Sequence, residues 1–158
     1  MAAKLRAIHW DERSAASTNA RRYLPPLVTE YFTYVRDTLA KNPPPPKLHA
    51  LRLATKQLRY TLELFRACYG PGLETRLGEL RHLQQLLGEV NDSAATERLL
   101  SSMMRASTQQ LRVKKFLDER SATKAQAFRE HWTGVFDAPG RERWWTGYLM
   151  REARAARR

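Results

Sequence analysis

Residues 47–72, KLHALRLATKQLRYTLELFRACYGPG, decide the fold class. Leu51, Leu58, Leu62 and Phe65 recur at the spacing of an amphipathic helix and gather on one arc of the wheel. Pro46 stands where a helix opens, and Gly70-Pro71-Gly72 is a strong stop, so the spacing predicts a helix from about Lys47 to Tyr69. At about 100° per residue, His49, Arg52, Lys56 and Arg59 share an arc of about 80° that lies beside the apolar arc, not opposite it. A charge run that only solubilises a helix sits opposite the core and alternates in sign. Here Glu63, one turn beyond Arg59, is the only acid in line, so repulsion along the stripe is largely uncompensated. The wheel alone leaves two readings open, a solvated face and an anion-binding face. Arginine offers a planar fork for oxyanions, lysine a compact charge, and His49 a donor whose charge is set near neutral pH.

Outward from this helix the chain reads as helical throughout, with no strand-like alternation. Upstream, Tyr23, Leu24, Leu27, Val28, Tyr31, Val35 and Leu39 predict a helix from about Asn19 to Lys41, kinked or restarted by Pro25 and Pro26. Residues 42–46, ending in four prolines, form a stiff extended connector. Downstream, Leu73, Leu77, Leu80, Leu83, Leu87 and Val90 predict a third helix. Asn91-Asp92 reads as its exit, with Asp92 capping a fourth helix over about Ser93–Met104. A longer helix follows over about Thr108–Thr133, and a basic C-terminal helix begins near Arg141. The expected architecture is an all-α helical bundle of five or six helices with a four-helix-bundle-like core. Residues 1–18 are expected to form a flexible arm, and 19–158 a single domain that closes with a basic segment over 141–158.

Lysine and arginine number 28 against 16 acidic residues, a formal net charge of +12 that points to an anionic partner. Cys68 is the only cysteine, which excludes an intrachain disulfide and a cysteine metal cluster; it reads as a small buried filler. No apolar run approaches the roughly 18 residues of a membrane span, and the expected compartment is the cytoplasm.

Two stretches carry a family likeness: His49-x-x-Arg52-x-x-x-Lys56-x-x-Arg59-Tyr60-x-x-Glu63, then Leu80-Arg81-x-Leu83-Gln84-x-x-Leu87-Gly88-x-x-Asn91-Asp92. Together they resemble the CHAD family, the conserved-histidine α-helical domain, clearly over residues 47 to about 100 and weakly in the flanks. The resemblance implies binding of inorganic polyphosphate in a basic groove, with His49, Arg52, Lys56 and Arg59 as ligands. It also implies association with polyphosphate granules or with triphosphatase partners. Members usually carry two related halves, whereas this chain resembles one, most like the second. A homodimer would rebuild the missing charge.

Other candidates have ordinary readings beside functional ones. Arg120 and Lys124 fall on a line of core residues with Val113, Leu117 and Phe128, and either enter the groove as further anion contacts or snorkel to its edge. Arg22, near the proline kink, is a further candidate contact, and Glu63 is expected to orient Arg59 or Lys56. Glu79-x-x-His82 is half of a di-metal motif without its other half, so no metal is expected and His82 reads as a surface residue. Trp144, Trp145, Tyr148 and Leu149 read as a packing face, with a nucleic-acid or membrane-surface helix as the alternative. No nucleophile, base pair or cofactor loop emerges, so the chain is expected to bind and not to catalyse. Non-specific nucleic-acid binding, or an adaptor anchored by polyphosphate, are the competing functions.

Overall fold

The computed structural model describes residues 5–103 and 107–154. They form an all-α fold of five α-helices: α1 (Ala16–Ala40), α2 (His49–Leu64), α3 (Pro71–Met103), α4 (Thr108–His131) and α5 (Arg141–Arg151). α3 packs against α2 and α4, while α1 packs against α5 and α2. The expected connector lies between α1 and α2 and ends in a short 3₁₀ turn, Pro45–Leu48, which hands the chain directly to α2. Pro25 and Pro26 lie inside α1, which runs unbroken from Ala16 to Ala40. The missing N–H groups leave two helical carbonyls without their usual donors. The burial of Leu24, Leu27, Val28, Tyr31 and Val35 outweighs that loss.

α3 departs most from expectation. It runs through Asn91-Asp92 to Met103, so the predicted third and fourth helices are one and Asp92 caps nothing. The apolar seam of Leu73, Leu77, Leu80, Leu83, Leu87 and Val90 is buried and continues into Ser93 and Ala94. Asn and Asp cost a helix only some tenths of a kcal/mol each, well below what continued burial against α4 contributes. α4 opens instead at Thr108, where the Ser107 side chain accepts a bond from the Gln110 backbone N–H at 3.2 Å. Met104, the expected end of the fourth helix, lies outside the described residues.

The core is aromatic at one end. Trp132 and Phe136 occupy a π-helical turn that follows α4 and stack at 5.0 Å. Phe32 of α1 lies 5.3 Å from Phe136, and Trp145 of α5 lies 5.4 Å from it. Trp145 and Leu149 are fully buried, so α5 is a packing helix, as the first of its two readings held. Arg76, which sequence reasoning passed over, fastens α3 to α5. Its guanidinium donates to the carbonyls of Gly72 and Trp144 and lies 3.4 Å from the Trp144 ring centroid and 3.8 Å from that of Tyr148. Burial pulls its pKa down to about 10, which leaves it charged at neutral pH.

Cys68 is buried, as expected, and burial pushes its thiol above the usual range. The stretch expected as a flexible arm is tied down where it is described. Leu5 is buried, Arg6 pairs with Glu30, and Trp10 lies 4.8 Å from Phe65. The Asn19 side chain accepts from the Asp11 N–H and donates to the Asp11 and Ser14 carbonyls. The basic C-terminal segment is helical only as far as Arg151, and residues 155–158 lie outside the described residues.

The continuity of α3 is testable with Asn91→Pro. In an unbroken helix this removes a hydrogen bond and sets the ring against the Leu87 carbonyl, so a loss of at least about 3 kcal/mol is expected in urea unfolding. An unchanged midpoint would place the end of the helix at Val90.

Candidate anion-binding groove

Because the apolar arcs of α2 and α3 face the core, the residues next to those arcs meet along the line between the two helices. On α2 these are Arg52 and Arg59. On α3 they are Arg81, Gln84, Gly88 and Asp92, which recur at intervals of three and four beside the leucine seam. With Gln85 and Glu89 they line an open groove of about 570 Å³.

Arg59 is the most fixed of them. Its side chain is 14% exposed, and Nη1 donates to Glu63 Oε1 at 2.6 Å. Nε donates to Gln84 Oε1 at 3.0 Å, and the guanidinium lies 4.4 Å from the Tyr60 ring centroid. Glu63 also lies 3.6 Å from Arg81 Nη2, so one carboxylate serves an arginine from each wall. Of the two partners expected for Glu63, it bonds Arg59 and not Lys56, and it reaches Arg81 as well.

Arg52 crosses toward α3 at Gly88, where a Cβ would stand 3.6 Å from its Nε. That Nε is buried and has no hydrogen-bond partner among the described residues. A buried donor without an acceptor is costly.

The other two members of the predicted stripe stand apart. The half-buried Lys56 places its ammonium 5.5 Å from the Tyr60 ring centroid, and no carboxylate lies within ion-pair distance among the described residues. His49 is exposed at the first turn of α2 and borders a separate recess of about 830 Å³ with Tyr34, Lys41, Lys47 and the proline connector. The stripe is thus one line on a wheel but three environments in the fold.

Lys124 reaches the groove indirectly, through an ion pair with Glu89 at 2.7 Å. That hydrogen bond, followed by the charge of Lys124 and of more distant Arg120, holds the Glu89 carboxyl below its usual range. Arg120 itself is exposed. Neither residue enters the core: the buried line of α4 is Leu117, Ser121, Ala125 and Phe128. Arg22 lies over the Tyr23 ring and borders a small recess beside the N-terminal segment, away from the groove.

Sequence reasoning had quoted Arg81, Gln84, Gly88 and Asp92 in the second motif without giving them a part in binding. The usable signal was their spacing beside the leucine seam, the same argument already applied to α2.

The groove brings three guanidinium forks from two helices together with two side-chain amides. Among the described residues no three or more His, Cys, Asp or Glu side chains gather as a metal site. The chain is a helical bundle whose α2–α3 cleft gathers guanidinium and amide donors beside the Glu89 and Asp92 carboxylates. A family model described as the CHAD domain matches residues 1–101, and the chain belongs to that family. The matched residues include both walls of the groove and stop short of α4 and α5. No match was found among curated proteins or among solved structures.

Gly88→Ala tests the local geometry. Replacing a mid-helix glycine whose added methyl meets only ordinary contact should raise stability by about 0.5–1 kcal/mol in thermal melts. A loss of stability would mean that Arg52 lies closer to α3 than this arrangement has it.

Proposed function

We propose that the chain binds inorganic polyphosphate along the α2–α3 groove and performs no chemistry on it. The observation that carries this reading is the convergence of Arg52, Arg59 and Arg81 on one cleft, with the Arg52 Nε buried and unpartnered. Guanidinium forks suit the paired oxygens of successive phosphates, and turns of α2 about 5.4 Å apart suit a polymer with one charge per short repeat. Membership of the CHAD family supports polyphosphate over other polyanions. Lys56 and His49 extend the cationic surface beyond the groove at the side and head of α2. Localisation at polyphosphate granules follows from the same reading.

The groove has walls on two sides only, and the missing side is assigned to a second copy of the chain. Leu53, Tyr60 and Leu64, exposed at 39%, 47% and 76%, line the open face of α2 beside Lys56. Large apolar side chains in a row on a charged helix mark a contact surface. A two-fold axis through this face sets two cationic clefts side by side.

Four measurements bear on this. The triple reversal Arg52→Glu, Lys56→Glu, Arg59→Glu should weaken polyphosphate binding at least about 100-fold at physiological salt, whereas unchanged binding would move the site elsewhere. Duplex DNA at equal charge should compete poorly; equal competition would replace the specific reading with general polyanion binding. Light scattering after size exclusion should give a dimer mass that Leu64→Glu reduces to a monomer, and a monomer with and without polyphosphate would overturn the second-copy assignment. Phosphate release with Mg²⁺ present should stay at background.

A further inference from the structure

Glu79-x-x-His82 is half of a di-metal motif whose second copy and further glutamates are not found in the chain. The fold brings a second histidine beside it all the same. His131, the last residue of α4, brings its ring centroid to 4.5 Å from that of His82 on α3, with the ring planes at 80°. His82 is exposed and His131 half-buried next to Trp132. Glu79 stands one turn before His82, and its carboxylate is held by Arg141 of α5 at 2.5 Å. The charged and titratable groups around the pair are thus Glu79 and His82 on α3, His131 on α4 and Arg141 on α5.

We propose that His82 and His131 form a two-imidazole site for a borderline divalent transition-metal cation of the Zn²⁺, Ni²⁺ or Cu²⁺ class. Water completes the coordination, since no third ligand gathers there among the described residues. Neutral imidazole is the preferred ligand of these ions, at about 2.0–2.1 Å from nitrogen. Two rings this close reach one ion once the exposed His82 ring turns a nitrogen toward it. Carbonyl and carboxylate cations such as Ca²⁺ and Mg²⁺ find no oxygen cage here. A bound ion would clamp α3 to the end of α4, independently of the anion groove.

The test uses the full chain, stripped with chelator and then given NiCl₂ or ZnCl₂. At pH 7.5 and an excess of about 100-fold over the dissociation constant, Tm should rise by about 5 °C. The shift should vanish in His82→Asn and in His131→Asn, both of which should still melt cooperatively in chelator. Protons compete for both rings, so the shift should also be lost at pH 5.5. A shift that survives the double variant places the metal at His9 or His49 and overturns the proposal, as does no shift in the unaltered chain. If either variant fails to fold, Cu²⁺ bound to the unaltered chain decides. Its electron-spin spectrum should carry hyperfine structure from two nitrogens, and coupling to one or none overturns the site.

Discussion

The burial of the α3 leucine seam is the constraint on which the rest depends. Leu73, Leu77, Leu80, Leu83, Leu87 and Val90 are all buried at 1% exposure or less. Each fully buried leucine contributes about 1.5–3 kcal/mol relative to exposure, so the helix has one rotational setting about its axis. That setting, and no feature of the polar residues themselves, turns Arg81, Gln84, Gly88 and Asp92 toward α2. The groove is in this sense a by-product of packing: its walls are the residues adjacent to two apolar arcs brought face to face.

The five helices were largely legible in the sequence because periodicity and helix stops are local signals. Pro46 marked the approach to α2, but α2 runs only over His49–Leu64 and not to Tyr69: a 3₁₀ turn, Arg66–Cys68, separates it from Gly70, and Pro71 and Gly72 already open α3; the Gly140 turn precedes α5 with positive φ. The joined α3 was not legible. Asn91-Asp92 has the composition of a turn, and only the burial of Ser93 and Ala94 against α4 overrides it, a tertiary effect no wheel contains. The N-terminal segment was misread for the same reason, since its anchors Leu5 and Trp10 act through residues distant in sequence.

The site was legible on one wall and hidden on the other. The wheel of α2 grouped Arg52 and Arg59, which the fold sets together along α3, but a wheel treats a helix as if its surroundings were uniform. His49 begins the helix and faces the proline connector, while Lys56 turns toward Tyr60, so neither shares the cleft. The α3 wall could have been found by applying the same construction to the second motif. Lys124 was harder, because its route to the groove passes through Glu89, and pairings across helices leave no trace in spacing.

Glu63 gives the groove a property of its own. A carboxylate already bridging Arg59 and Arg81 means that the unliganded cleft carries a resident counter-ion made of protein. An incoming phosphate would not fill empty coordination at those two arginines; it would take over a place that is occupied. Association there becomes an exchange of one anion for another, with the displaced carboxylate released into water. Fewer small ions would be liberated than the number of arginines suggests, and the salt dependence of binding would undercount the contacts made. Dissociation would gain in turn, because a tethered anion stands ready to reclaim each guanidinium.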